Sequence, residues 1–376
     1  MAIRVGINGF GRIGRLVVRA IFDQGILGEE FELAAIADVS QDADYLAYQI
    51  KYDSIHGKAK HLVSFSQSGV SGKNILVLNG RPIRCLPAVS NPDKLPWKSL
   101  GVNIVIESSG LFIDADKAAG HLQAGAKKVI ITSPAQGDLK TIVMGVNQHE
   151  YDAAKHHIIS NASCTTNCLA LPAYLLIKEG IGIENGLVTA INSYTASQRI
   201  VDGFSKRNWR SGRAAAENII PLTTNAPKLV GEILPELKGR LAGLSFRIPT
   251  ADVSIIDLNF RSTRETSIEA IDALIKKAAE TYLKGYLRYS DEELVSTDFI
   301  GDSHSAVYDS LATIQSNLKN EKRLFRLIFW YDNEWGYANR VVDLIRYLDH
   351  AETMMHPRGI QPAKPNKTKR REACLT

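Results

Sequence analysis

The chain has 376 residues, 45% of them apolar and 23% charged, the make-up of a globular protein long enough for two domains. Its net charge of +5 comes from five Lys/Arg and no acid within residues 364–371, so the rest is neutral, which argues against nucleic-acid or membrane-surface binding by the body of the chain. Four cysteines (Cys85, Cys164, Cys168, Cys374) are too few and too scattered for a disulfide framework, and no apolar run is long enough to span a membrane.

The first apolar strand, Ile3 to Ile7, is reached with no signal-type segment before it, and a reducing, cytoplasmic location is expected. Then come Gly9-Phe10-Gly11-Arg12-Ile13-Gly14 and a helical pattern from Leu16 to Phe22. This is GxGxxG between a strand and a helix, the context a dinucleotide site needs. Gly9 permits a tight turn, Gly11 lets the backbone approach a pyrophosphate, and Gly14 lets helix and strand pack closely. A second strand, Phe31 to Ala37, ends in Asp38, whose carboxylate suits a ribose 2′-hydroxyl and repels a 2′-phosphate. NAD is therefore expected rather than NADP.

Ile75 to Leu78, Asn79-Gly80 and Pro82 to Cys85 read as a hairpin. Val102 to Glu107 and Lys128 to Thr132 read as buried strands, with helical spacing over Ala115 to Ala124 between them. Such alternation builds a parallel, doubly wound sheet. Its ligand crevice lies at the carboxyl ends of the strands, where Gly9, Asp38, Ser108 and Thr132 fall.

At Ser160 to Cys168 a strand-like run ends and a helix-like run begins, placing Cys164 at a helix start. Free N–H groups and the positive end of the helix dipole are expected there to lower its pKa from about 8.5. Ser163 and Thr165 flank it and suit an anion. A buried structural cysteine is the alternative. The CxxxC spacing with Cys168 has no second Cys pair or Cys/His cluster beside it, so no metal site is expected. Past Leu187 to Asn192, a strand, residues 193–213 are polar and irregular, a pattern that marks a binding or subunit-contact loop. Leu244 to Ile248, Val253 to Phe260 and Leu324 to Tyr331 read as strands, Ile268 to Tyr282 and Tyr337 to Leu348 as helices.

Four stretches, Gly6 to Arg15, Ala162 to Cys168, Ser245 to Thr250 and Trp330 to Tyr337, resemble phosphorylating glyceraldehyde-3-phosphate dehydrogenases. The resemblance runs from about residue 2 to about residue 350. It implies an α/β fold: a Rossmann-type doubly wound parallel sheet plus an α+β catalytic domain with a mainly antiparallel sheet. The expected division is residues 1–163 for NAD binding, 164–332 for catalysis, 333–350 for a helix returning to the first domain, and 351–376 for a basic, disordered tail.

The resemblance also implies roles. Cys164 attacks a phosphorylated aldehyde; hydride transfer to NAD leaves a thioester, and inorganic phosphate cleaves it. Thr195 and Arg247 match the positions that hold the substrate's phosphate. Ser163, Thr165 and Thr224 match those holding the attacking phosphate. Asn333 matches the position that bonds the nicotinamide carboxamide. Phe10, Arg12 and Ile13 would line the pyrophosphate, and Thr132 the region near the nicotinamide. A homotetramer is implied, with the loop 193–213 reaching toward a neighbour.

Asn192 stands where the family has its catalytic histidine, and Asn225 where it has a glycine in the attacking-phosphate site. Asparagine does not titrate and cannot serve as general base. Three readings stay open: a dehydrogenase slowed by Asn192, an enzyme redirected to another aldehyde or acyl acceptor, or an NAD-binding redox sensor.

Overall fold

A computed structural model describes residues 2–68, 73–206 and 208–355. Two sheets carry the architecture. The first has nine strands in the order Lys140–Thr141, Ile158–Ser160, Lys128–Ile131, Ile104–Glu107, Ile3–Asn8, Phe31–Asp38, Arg81–Pro87, Lys73–Leu78 and Val63–Ser68. The first seven run parallel and the last two are added antiparallel. The expected hairpin joins Lys73–Leu78 to Arg81–Pro87. It turns at Asn79 and Gly80, with φ of +47° and +77°, the pair of positive angles a two-residue hairpin turn requires.

Chain order reverses at the central strand, which pairs with Phe31–Asp38 on one side and Ile104–Glu107 on the other. The crevice beyond the carboxyl ends of those strands is where an open α/β sheet binds its ligand.

The second sheet has eight strands. Along its main path lie Ile220–Thr223, Leu241–Ile248, Ile183–Ser193, Ser254–Ser262, Leu324–Tyr331, Ala306–Asp309 and Leu287–Ser290, with Ile314–Gln315 added onto Leu324–Tyr331. Most pairings are antiparallel, but Ile183–Ser193 with Leu241–Ile248 and Leu287–Ser290 with Ala306–Asp309 are parallel, so the sheet is mixed. The helix Cys164–Lys178 packs on this sheet together with Ala226–Ile233 and Ile268–Glu280. It carries Pro172 in its interior, which removes one main-chain donor without ending the helix.

Each sheet has its own large apolar core, and partly buried Cys164 touches both. The final helix starts at Trp335 and reaches Met355, seven residues past the Leu348 that its periodicity marks and into the stretch expected to be tail. The remaining tail, 356–376, lies outside the described residues. Tyr337, Val341, Leu344, Ile345 and Leu348 join the core of the nine-stranded sheet, and the helix packs along Arg12–Asp23, so the last element of the chain closes on the first. Among the described residues no helix is long and apolar enough to cross a membrane.

Candidate active site

The strand Ile3–Asn8 delivers the chain into a turn at Gly9, whose φ is +94° and where a Cβ would lie 2.3 Å from the Ser109 nitrogen. Only glycine fits. Gly14 lies against this turn: a Cβ there would meet the Gly9 carbonyl oxygen at 2.2 Å. Gly11 is the opposite case. A Cβ there would have nothing within 4 Å, so the backbone stays open to an approaching phosphate group. The helix Arg12–Asp23 starts there without a side-chain cap and with no acid in its first turn. Its free N–H groups suit a pyrophosphate.

The rim is fixed by buried polar contacts. Ser108 Oγ donates to the Gly9 carbonyl at 2.6 Å. Buried Glu107 accepts from Asn8 Nδ2 at 2.6 Å and from Ser109 N at 2.8 Å. Trp97 Nε1 donates to His121 Nδ1 at 3.0 Å, so His121 carries its proton on Nε2 and gives it to Glu107 at 2.9 Å. Thr132 Oγ1 donates to the Glu107 carbonyl at 3.1 Å.

Half-buried Asp38 accepts the Phe10 N–H at 2.5 Å and the Ser40 N–H at 3.3 Å, which brings the acid to the glycine turn as its position in the sequence suggests. Ile13, partly buried, packs against the core behind the turn. The Arg12 guanidinium is engaged by Asp53 and Glu334, so the side chain ties the glycine-loop helix to the segment after Asn333, while its main chain lies at the helix start.

Cys164 is the first residue of its helix. Ser163 caps it, its Oγ accepting the Thr166 N–H at 3.0 Å. Ala162, before the cap, has φ +54°, an uncommon angle for a residue with a Cβ. That turn is held by Asn167, whose Nδ2 donates to the Asn161 carbonyl at 2.9 Å and the Ser163 carbonyl at 3.0 Å, and by Tyr337, whose hydroxyl donates to the Ala162 carbonyl at 2.9 Å.

The helix start does not win the thiol's pKa. Burial pushes Cys164 above the usual thiol value, and the positive charge of Arg247 and hydrogen bonds from Thr165 only partly oppose it. The expected lowering is therefore corrected. Sequence spacing shows the helix terminus but not the depth of the seam in which the sulfur sits.

Asn192 is buried near the end of its strand, and its Oδ1 accepts the Tyr331 hydroxyl at 2.8 Å. The Tyr331 oxygen lies 3.1 Å from Thr165 Oγ1. Since its one proton goes to Asn192, Thr165 is the donor to Tyr331. Burial, reinforced by nearby Cys164, raises the Tyr331 phenol well above its usual pKa, so it stays protonated and is no substitute base. Among the described residues no imidazole or carboxylate is hydrogen-bonded to Cys164, Asn192 or Tyr331.

Asn333 is gripped by two hydroxyls. Ser193 Oγ donates to its Oδ1 at 2.9 Å and Ser254 Oγ at 2.7 Å, which fixes its amide and leaves its Nδ2 to donate elsewhere. Sequence reasoning misses Ser254, Tyr331 and Tyr337, because each acts across a long span of chain with no local signature.

Arg247 pairs in register with Asn192 on the neighbouring strand, and its Nη1 donates to the Ser193 carbonyl at 2.8 Å. It lines a cavity of about 410 Å³ together with Arg199 and Lys206 of the long loop, a cationic pocket fit for a phosphate. Thr195 sits exposed at the loop's start, its Oγ1 2.9 Å from Ser197 Oγ. Thr224 Oγ1 accepts the Ala226 N–H at 3.2 Å. Asn225 lines a separate cavity of about 440 Å³ with Gln136, Thr141 and Lys228.

The loop after Ser193 is less polar than its charges suggest. Ile200, Val201, Phe204 and Trp209 are exposed, Trp209 by 94%. It is nonetheless tied internally, by an ion pair between Asp202 and Arg213 at 2.9 Å and by Gly203 N donating to Gly212 O at 2.8 Å.

Comparison with known proteins accounts for this geometry. Residues 3–115 match the family model described as glyceraldehyde 3-phosphate dehydrogenase, NAD binding domain, and residues 163–333 match its C-terminal domain. The chain is 58% identical over 348 residues to the glycosomal glyceraldehyde-3-phosphate dehydrogenase of Crithidia fasciculata, covering 92% of this chain and 96% of that protein. It is 53% identical over 352 residues to the glyceraldehyde-3-phosphate dehydrogenase of Treponema pallidum, covering 92% and 99%. Against the cytosolic enzyme of Magnolia liliiflora it is 48% identical over 343 residues, covering 91% and 96%. The chain belongs to the glyceraldehyde-3-phosphate dehydrogenase family and is an NAD-dependent dehydrogenase with a Rossmann NAD-binding domain and that family's C-terminal domain.

Proposed function

We propose that this protein oxidises glyceraldehyde 3-phosphate, or a close phosphorylated aldehyde, through a thioester on Cys164, with inorganic phosphate as acyl acceptor, and that Asn192 slows the reaction. The supporting observation is the set of groups around the seam: Cys164 at a capped helix start and within the field of Arg247, Arg247 lining a cationic pocket, and Asn333 locked by two serines.

Cys164 sulfur adds to the aldehyde carbon, and the carbonyl oxygen becomes a hydroxyl. The open backbone at Gly11, the helix-start N–H groups and Asn333 would hold NAD here, and the cofactor would supply the acceptor for the hydride on that carbon. The Asn192 amide nitrogen is the group left to donate to the substrate oxygen, since its own oxygen is engaged by Tyr331. It steadies that oxygen but does not take the hydroxyl proton, which passes to solvent. Phosphate then attacks the thioester carbon and the Cys164 thiolate leaves, so atoms and charge balance. Arg247 with Thr195 suits the substrate's own phosphate, and Thr165 with Thr224 and the helix-start N–H groups suits the attacking one. Loss of a general base costs about 10²–10⁴ in rate.

A homotetramer in a reducing cytoplasm completes the proposal. It is supported by the apolar surface that the long loop exposes and by Cys85, Cys164 and Cys168 all being free thiols. The test is Asn192→His, assayed by NADH formation from glyceraldehyde 3-phosphate with phosphate present. A gain of about 10²–10⁴ is expected. No gain, with intact-mass detection of a Cys164 adduct from a different aldehyde, establishes instead a redirected enzyme, a reading that the side chain of Asn225 favours by occupying a position that is glycine in the family.

A further inference from the structure

The seam between the two sheets holds a second cluster that the proposed chemistry does not use. His56 comes from the turn after Tyr52–Asp53, Asp252 from the turn entering Ser254–Ser262, and Asp332 from the end of Leu324–Tyr331. One ligating atom of each lies within 4.8 Å of the others. His56 Nε2 is 3.6 Å from Asp252 Oδ2, and both side chains are buried, the aspartate completely. Neither oxygen of Asp252 has a hydrogen-bond partner, and His56 Nε2 has only the longer ion-pair contacts with Glu334 at 3.4 Å and Asp252 at 3.6 Å. Buried polar atoms without partners are rare and call for a cause.

Three features specify the missing partner. The donor set, one imidazole and two carboxylates, is that of a zinc-class dication. Two ligands of a tetrahedral ion with bonds of about 2.0–2.1 Å lie about 3.3 Å apart, so His56 and Asp252 need to shift by only tenths of an ångström. Asp332 is already oriented by main-chain donors: Gly301 N at 2.8 Å on one oxygen, Glu334 N at 2.9 Å and Trp335 N at 2.6 Å on the other. Metal-ligating carboxylates are held in this way. The local charge agrees, because Glu334, 3.4 Å from His56, and Asp53 add acids against Arg12. His56 also forms part of the wall of a cavity of about 280 Å³ whose other charged lining residues are Arg19, Asp23, Lys58 and Lys60.

We propose that His56, Asp252 and Asp332 form a divalent-cation site that clamps the NAD-binding half to the catalytic half. The ion is structural. It holds Asp332 and, through the chain, the adjoining Asn333.

Cobalt(II) titration of the chelator-stripped full-length protein tests this, since cobalt reports its ligands optically. Expected is uptake of one equivalent with visible d–d bands, no thiolate charge-transfer band, and a higher Tm in the presence of metal. Cys164→Ser should keep the signal. His56→Gln and Asp252→Asn should each weaken uptake by at least about tenfold. If Asp252→Asn does not fold, His56→Gln, checked by metal-free circular dichroism, reads the same loss. No uptake at millimolar cobalt overturns the proposal. So does uptake that survives both substitutions, or uptake that shows a thiolate band and vanishes in Cys164→Ser.

Discussion

Asn192 has no proton to gain or lose near neutral pH, and burial at Cys164 disfavours the charged thiolate. Together they predict an alkaline nucleophile. The thiol's folded pKa lies above its ordinary value, so the thiolate fraction, and with it alkylation by iodoacetamide, should rise with pH and reach its midpoint above that of the unfolded chain, near about 8.5. In Asn192→His a nearby imidazolium would favour the thiolate, so the midpoint should fall. A wild-type midpoint at or below the unfolded one would contradict the burial account. What the sequence displays at this scale is the kind of residue: the reactive cysteine, the two flanking hydroxyls and the missing histidine. It does not display that Tyr331 occupies the Asn192 oxygen, a contact between residues 139 positions apart.

Elements are where sequence reading succeeds most, because strand, turn and helix are written in neighbouring residues. The turn from Ile3–Asn8 into Arg12–Asp23 shows why. Its three glycines differ in what surrounds them, and that difference is testable. Gly14→Ala would drive a methyl into the Gly9 carbonyl and toward Ser108, which should cost about 1–3 kcal/mol of stability and weaken NAD binding. Gly11→Ala meets open space, so its Tm should hold while NAD affinity falls. Calorimetry of both variants, with and without NAD, separates the two; equal Tm losses would refute the distinction. Boundaries are harder to read. The final helix outruns its apolar periodicity because its continuation to Met355 has no core-facing stripe and is tied to the sheet by Glu352, 3.5 Å from Lys128 Nζ. The short parallel pair Leu287–Ser290 and Ala306–Asp309 escapes notice because four-residue strands give little pattern to read.

At the scale of the molecule, apolar surface remains uncovered on the second half. Leu187 on its strand and Ile200, Val201, Phe204 and Trp209 on the long loop face solvent. Such a surface, larger than single scattered residues, is what an assembly buries. Trp209→Asp combined with Phe204→Ser should therefore lower the sedimenting mass while leaving far-UV circular dichroism unchanged; an unaltered mass would move the subunit contact elsewhere. The proposed tetramer rests on resemblance and on the loop's length; the loop's exposed aromatics are hidden in a stretch that reads as polar because charge dominates the count.

Cys164 touches both apolar cores, and Tyr337, from the last helix, closes the turn behind it. The nucleophile therefore takes its final setting only where both halves and the last helix meet. While the chain is only half folded, the sulfur is an ordinary cysteine with ordinary reactivity, open to oxidants and alkylators. Packing of the two halves partly buries the sulfur and raises its pKa. Oxidative or alkylating damage at Cys164 should therefore depend on how tightly the two halves are packed, and should increase when either is loosened.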